Sequence, residues 1–428
     1  ASGKGPALLF NNIKDYKTGR CTQVFAGSMS SYERIALMFG KPKDTPITEL
    51  VKLTREVFKK RVPPVVVPTG PVKENILKGD DINLFEFPVP RWNRRDGGRY
   101  INTMNGNITK DPDTGRVNVG IYRGMVGRKD SVPSLVSRAQ NWGQDLMKYA
   151  ERGEEMPVAC VIGWEPSLAY LACSPLPPDV SEYDVMGALR GKPVELVDCE
   201  TVPLQVPASA EIVIEGWISA DPKTFEMEGP YGEYTGYYAG DQGAKHSIRV
   251  TAITHRKAPV IPSYISQVAP SESSVIRRVA YEPLFLDHLR RTLGIRGVKN
   301  VSLHEPLTGL LRVTVITFER GTPRTEIWRA LRGAAFFKGD CGKICIAVNE
   351  DIDPDNADAI LWAMAYRMNP VDDVETLAHR GQGHGPKREL DQEEDSTLLM
   401  DATMKSDMPP LALPTRPYME KSRKIWEE

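Results

Sequence analysis

The sequence predicts an α+β / α/β protein of more than one domain, and three observations carry that expectation. The chain has 428 residues, too many for one simple core, so two or three domains are expected. From about residue 101 to 255, apolar residues recur with a period of two, the mark of an antiparallel sheet or barrel. After residue 298 the pattern changes to strand–helix–strand–helix, which calls for a separate α/β unit.

Residues 1–60 combine a short apolar strand, ALLF at 7–10, with helical patterns in SSYERIALMFG and ITELVKLTREVFKK. PPVVVPTGP at 63–71 and FPVPRWNRRDGGRY at 87–100 are connectors punctuated by Pro and Gly. In RVNVGIYRGMVG, Val117, Val119 and Ile121 alternate with Asn118, Gly120 and Tyr122. EIVIEGWIS at 211–219 sets Ile212 and Ile214 on one face, and SIRVTAITH at 247–255 does so with Ile248 and Val250. One helix interrupts the strands, predicted over 133–153, with Leu135, Ala139, Trp142, Leu146 and Tyr149 on one stripe. Gly153 is its expected stop. A long helix is predicted over 274–294, disturbed at Pro283. LRVTVITFE, RTEIWRALRGAAFF, KICIAVNEDID and NADAILWAMAYRM then give the βαβα series, followed by a polar loop at 381–397 and a charged tail. The expected divisions are 1–95, 96–273, a connecting helix at 274–297, and 298–428.

Composition narrows the function. Lys plus Arg number 55 against 56 for Asp plus Glu, so no basic excess points to nucleic acid or an acidic membrane. The six cysteines lack disulfide or zinc-knuckle spacing, Cys341 and Cys345 standing as C-x-x-x-C, and a reducing cytoplasm is the expected compartment. No apolar run approaches the roughly 18 residues of a membrane span, and the N-terminus lacks a signal-peptide layout. No dinucleotide, Walker or nucleophile-elbow motif occurs, and the six histidines are scattered. A hydrolase triad or zinc enzyme is therefore not expected.

Carboxylates, amides and arginine remain. Glu228 and Glu233 flank a turn in EGPYGEYTG. Five is an odd separation, so a regular strand would send them to opposite faces. Pro230 presets a turn and Gly232 tolerates positive φ, which allows both acids to converge. A plain surface hairpin is the competing explanation. Asn118 and Arg123 share the same spacing, and a glycine bulge at Gly120 or Gly124 is expected to bring them together. An arginine beside two carboxylates stays charged and can grip a substrate carboxylate bidentately.

EGPYGEYTGYY, with VPASAEIVIEG before it and GALRGKPVELVDCE before that, resembles the UbiD family of decarboxylases that use prenylated FMN. The similarity runs from GPALLFNNIKDY (5–16) through DAILWAM (358–364) to DATMK (401–405). It implies a split β-barrel flavin-binding domain between an N-terminal α/β segment and a C-terminal α/β dimerisation domain, the chain starting inside the N-terminal domain without its first helices. It also implies a catalytic trio of Arg123, Glu228 and Glu233. Arg123 would orient the substrate carboxylate, Glu228 would polarise Arg123, and Glu233 would return a proton to the carbon that loses CO2. The flavin would be held by Ile121, Tyr122, Arg123 and Gln140, with Mn2+ or Mg2+, and K+ as a further ion. Asn118 and Glu182 match two of the family's divalent-metal ligands, but its metal-binding His falls on Asn141. An amide oxygen still suits a hard cation. A Lys common in the family near the flavin phosphate falls on Thr397, removing a positive charge.

Loss of CO2 from an sp2 carbon needs an electron sink that side chains do not offer, hence a cofactor. Glu233 acting as an acid asks for burial and for its neighbour Glu228 to favour the protonated form, while Arg123 opposes this and couples the pair. The resemblance implies reversible decarboxylation of an aromatic, heteroaromatic or α,β-unsaturated carboxylic acid; Tyr234, Gln267 and Glu272 are expected to line the substrate pocket, favouring a hydroxylated aromatic or heteroaromatic acid. The implied partners are a small carboxylic acid, a flavin prenyltransferase as cofactor source, and further copies of the chain as a homodimer or higher homo-oligomer. Two alternatives compete: a cofactor-poor or partner-dependent subunit, suggested by Asn141 and Thr397, and a two-carboxylate glycosidase built on Glu228 and Glu233. No feature suggests a pure binding module.

Overall fold

A computed structural model of the chain describes residues 5–174, 176–177, 179–264, 270–303, 311–337, 341–381, 386 and 394–427. Gln267 lies outside the described residues.

The middle of the chain forms a seven-stranded antiparallel sheet. Its order is Asn75–Lys78, Ser247–His255, Ile212–Ile218, Met156–Ile162, Asn105–Lys110 and Val117–Gly120, with Ser131–Pro133 added beside Ser247–Arg249. Met156–Ile162 shows why these sequences choose a sheet. All seven residues are buried, yet they serve two cores: Met156, Val158, Cys160 and Ile162 enter one, while Ala159 and Val161 enter the other. Alternation with period two thus reports a sheet covered on both faces. Ile212, Ile214, Ile248 and Val250 share the first of these cores, as their spacing predicted.

The N-terminal residues are tied to this sheet rather than set apart. Asn75–Lys78, within the expected first division, is one of its strands, and Gln23–Ala26 pairs both with Leu8–Phe10 and, in parallel, with Val260–Ser263. Helices Tyr32–Met38 and Ile47–Val57 follow the predicted patterns. The second contacts the connecting helix through Arg55 Nη2 and Asp287 Oδ1 at 2.5 Å.

That connecting helix runs Glu272–Asp287 and is buried along most of its length. Pro283 lies inside it without ending it, because packing on both sides holds a turn that an isolated helix would lose. A π-helical turn follows at His288–Thr292. Arg278 anchors the helix to the C-terminal unit, pairing with Glu282 at 2.9 Å and with Asp355 at 2.5 Å.

The C-terminal unit has a five-stranded sheet, in the order Val298–Leu303, Val313–Phe318, Ile344–Asn349, Glu394–Asp401, Val374–Gly381. The three central strands are parallel and the two edges antiparallel. Helices Arg324–Ala335 and Ala357–Arg367 complete the predicted βαβα series.

Three local expectations are corrected. The helix predicted over 133–153 begins only at Asn141 and ends at Glu151. Pro133 and its neighbours form a strand on Ser247–Arg249, so tertiary pairing overrides the helical spacing of Leu135 and Ala139. Gly153 does stop the helix, at φ +71°, with Gly153 N–H donating to Ala150 O and Glu154 N–H to Tyr149 O, a Schellman closure. Residues 394–397 belong to a strand, not to the polar loop. No bulge joins Asn118 to Arg123; the strand ends at Gly120 and a new one starts at Gly124.

Candidate active site

The turn at 228–236 is built by backbone geometry. Glu228 ends the strand Glu226–Glu228, which pairs with Gly243–Lys245, and Tyr231–Gly232 pairs with Tyr238–Ala239. Gly229, at φ +88°, takes the left-handed conformation expected of Gly232, and the Gly229–Pro230 peptide is cis. Gly232 has a different role: a Cβ there would meet the Asn93 side chain at 2.3 Å. The DGG connector cradles the turn from below. Asp96 Oδ1 accepts from Gly232 N–H at 2.9 Å, and Gly97 N–H donates to Pro230 O at 2.8 Å. The acid-bearing turn is thus held by a separate loop, and it is not a free surface hairpin.

Arg123 comes from the opposite side, on the segment between Gly120 and Gly124. Asn107 Nδ2 donates to Tyr122 O at 2.9 Å and fixes that segment. The Arg123 guanidinium donates through Nε to Glu228 Oε1 at 3.0 Å and through Nη2 to Glu228 Oε2 at 3.1 Å. Its Nη1 donates to Glu233 Oε1 at 2.6 Å. Glu228 is fully buried and also accepts from the Tyr100 hydroxyl at 2.7 Å. The Tyr231 ring lies 5.2 Å from the guanidinium carbon, a cation–π contact. Burial works against the charge on Arg123, but Glu228 and Glu233 outweigh it and raise its pKa. Burial and then the Glu228 charge push the Tyr100 phenol up, so it stays a neutral donor. A bidentate pair this buried is strongly interdependent: removing one partner from such a pair costs on the order of 3–5 kcal/mol.

Arg123, Tyr231 and Glu233 face a cavity of about 110 Å3. Ile121, Tyr122, Arg123, Gln140, Glu233 and Tyr234 all line it. Sequence reasoning missed the other lining residues, among them Asn102, Tyr264, Ser273 and Arg277. Larger clefts of about 690 and 670 Å3 lie elsewhere, but neither contains the Arg123 trio. Glu272 does not line the cavity. Its Oε1 accepts from Met29 N–H at 2.8 Å and Ser28 Oγ at 3.4 Å, and burial pushes its pKa up to about 7.

A second cluster lies behind Tyr122. Tyr122 stacks on Trp142 at 4.3 Å, and Asn118 Nδ2 approaches its hydroxyl at 3.4 Å. Asn141, first residue of its helix, donates through Nδ2 to Asn118 Oδ1 at 3.1 Å. Glu182 Oε2 accepts from Val119 N–H, next along the strand, at 2.9 Å, and burial pushes its carboxyl up to about 7. The three residues thus share one neighbourhood. Among the described residues no group of three or more His, Cys, Asp and Glu side chains could hold a metal, so a cation here would depend on the two amide oxygens and one carboxylate. Rotating the Asn141 amide would present its oxygen, and that donor set fits a hard cation. The cavity wall also fits a polar cofactor, since Asn102 Oδ1 is buried on it without a partner. Thr397 is elsewhere. It is buried in the C-terminal sheet, its hydroxyl accepting from Arg380 Nε at 3.3 Å, so it leaves no gap on the cavity wall.

All six cysteines are free. Among the described residues, no helix is long and apolar enough to cross a membrane.

Comparison with known proteins agrees with this architecture. The chain matches three family profiles. Residues 65–268 match the 3-octaprenyl-4-hydroxybenzoate carboxy-lyase Rift-related domain of UbiD, 274–402 its C-terminal domain and 1–54 its N-terminal domain. It is 34% identical over 380 residues to a phenolic acid decarboxylase of Bacillus subtilis (strain 168), covering 87% of this chain and 77% of that one. It is 30% identical over 381 residues to the pyrrole-2-carboxylic acid decarboxylase of Pseudomonas aeruginosa, covering 86% and 76%. Among solved structures, the UbiD-class enzyme HmfF from Pelotomaculum thermopropionicum in complex with FMN superposes with a TM-score of 0.85 at 28% identity, over 98% of this chain and 90% of that one. The vanillic acid decarboxylase of Sedimentibacter hydroxybenzoicus in closed form gives 0.85 at 28%, over 99% and 89%.

Proposed function

The chain belongs to the UbiD family of carboxy-lyases, and from that premise we propose that it decarboxylates an aromatic or heteroaromatic acid at the Arg123–Glu228–Glu233 site. The observation that carries this reading is one guanidinium shared by two carboxylates at 3.0, 3.1 and 2.6 Å on a buried cavity. Glu228 and Tyr100 hold Arg123 from behind. Arg123 can then turn Nη1 from Glu233 to the substrate carboxylate, which orients the bond that breaks. Glu228 holds Arg123 through both of its oxygens and Glu233 through only one, so Glu233 is the acid free to pass a proton to the substrate. Glu233 delivers that proton to the ring carbon as CO2 departs. The reverse reaction uses the same groups, Glu233 accepting the proton as CO2 adds. The solved relative with FMN supports a flavin. Prenylated FMN, made by a flavin prenyltransferase, would supply the electron sink. Ile121, Tyr122, Arg123 and Gln140 would hold it. Asn118, Asn141 and Glu182 would hold Mn2+ or Mg2+ beside it. The exposed Leu361, Trp362 and Tyr366 of the Ala357–Arg367 helix support a homodimer or higher oligomer.

The chain purified from cells that also express a flavin prenyltransferase provides the test. The expected preparation carries flavin absorbance and a divalent metal, sediments as a dimer or larger, and releases CO2 from a panel of phenolic and pyrrole carboxylic acids. A colourless, inactive preparation would instead favour the cofactor-poor subunit, and a monomer would remove the oligomer from the account.

A further inference from the structure

Three asparagines of one short stretch, Asn102, Asn105 and Asn107, are all fully buried, and Tyr122 O decides how each amide is turned. A carbonyl only accepts, so the Asn107 atom that meets it at 2.9 Å is the Nδ2 donor. Asn107 Oδ1 then faces the other two amides. It accepts from Asn105 Nδ2 at 3.0 Å and from Asn102 Nδ2 at 3.3 Å. Turning Asn102 over would set two acceptor oxygens against each other, so the network fixes its orientation. Its Nδ2 also reaches the Sγ of Cys160, a buried residue of the central sheet, at 3.5 Å. With the nitrogen held on the sheet side, the amide oxygen is the end left for the cavity, whose wall includes Asn102. That oxygen is buried with no hydrogen-bond partner among the described residues.

An amide oxygen buried without a donor is costly. A strand position that needed only volume would carry Leu or Val. Asn102 pairs across the strand with Gly124, the residue after Arg123, and Asn107 holds the carbonyl of Tyr122, the residue before it. The same short network thus fixes the acceptor and Arg123 relative to one another. A molecule whose anionic end meets Arg123 turns its ring to this wall, and a ring donor completes the Asn102 hydrogen bond.

We propose that Asn102 is a binding residue whose amide oxygen accepts a hydrogen bond from a ring N–H or O–H of the molecule bound beside Arg123. Two sources have this chemistry: the ring of a pyrrole or phenolic acid, and the imide N–H of a flavin. The first source rests on the decarboxylase function proposed above.

The test pairs each ligand with an isostere or close analogue that lacks the donor. Pyrrole-2-carboxylate is paired with furan-2-carboxylate, and FMN with 3-methyl-FMN. Wild type, Asn102→Leu and Asn102→Asp are compared, the acids by calorimetric binding to the holoenzyme and the flavins by fluorescence titration of the full chain. Asn102→Leu keeps the volume and removes the acceptor. Asn102→Asp, held neutral by burial, keeps a carbonyl for the cavity and gives its hydroxyl to Asn107. The wild type is expected to bind the donor-bearing member of one pair at least about tenfold more tightly. Asn102→Leu should bind both members of that pair alike, and Asn102→Asp should retain part of the preference. Loss of preference for the pyrrole assigns the donor to the substrate, and loss for FMN assigns it to the cofactor; either upholds the role of Asn102. A wild type without preference in both pairs, or a preference undiminished in Asn102→Leu, overturns it. Should Asn102→Leu fail to fold, a preference present in wild type and in Asn102→Asp upholds the role, and its absence from wild type overturns it. Turnover of neither acid defeats the decarboxylase function instead, and the binding comparisons still decide the role of Asn102.

Discussion

Each residue of the trio is held by something other than the trio. Tyr100 donates to Glu228 at 2.7 Å and leaves the carboxylate both of its oxygens for the Arg123 fork. Tyr100→Phe removes that donor without opening a cavity. Hydrogen bonds to charged groups contribute about 1.5–3 kcal/mol, so denaturant unfolding should show a loss of that order. The turnover rate should fall about tenfold or more if the mispositioning reaches the transition state; unchanged kcat would show that Tyr100 does not position the site. The spacing of Glu228 and Glu233 across Pro and Gly allowed them to converge but left a surface hairpin open, and the motif resemblance is what singled them out. Which glycine carried the turn was not legible, since the choice of Gly229 depends on Gly97 and Asp96, more than 130 residues earlier. Arg277 was hidden for a related reason. In VIRRV it looks like half of a charged pair, and only the structure shows that Glu282 pairs with Arg278 while Arg277 lines the cavity.

Among elements, strands were read more securely than the helices beside them. Alternation in Met156–Ile162 and Ile212–Ile218 survives because each face meets its own core. The helical spacing of Leu135 and Ala139 carried no such weight, because Pro133 is claimed by a neighbouring strand. The start of the connecting helix supplies a pH test. Burial raises the Glu272 carboxyl from 4.5 to about 7, against the opposing effect of the Met29 and Gly27 amides. An acid with a raised folded-state pKa contributes stability that is complete below about 4.5 and lost as pH rises through about 7. Glu272→Gln keeps an oxygen for Met29 N–H and cannot titrate. Relative to this variant, the wild type should lose on the order of 1–3 kcal/mol of stability between pH 4.5 and 8, seen in urea unfolding. Parallel pH profiles for the two proteins would place that titration elsewhere.

At the scale of the molecule, three units converge on one cavity. The central sheet supplies Arg123 through the break at its edge, the 228–236 turn supplies Glu233 and sets Glu228 behind Arg123, and the connecting helix supplies Ser273 and Arg277. This convergence explains what the sequence could convey. Elements with local periodicity were visible, as were the motifs that resembled the family, whereas the meeting of segments 100 to 150 residues apart was not. The most direct test of the whole account is solvent deuterium incorporation by the flavin-loaded enzyme and its Glu233→Gln variant, both shown to bind flavin equally. The wild type should place one deuterium at the carbon that loses CO2. Glu233→Gln should keep its flavin while turnover and product proton exchange fall by about 100-fold or more. Wild-type rates of decarboxylation and deuterium incorporation in Glu233→Gln would contradict the account.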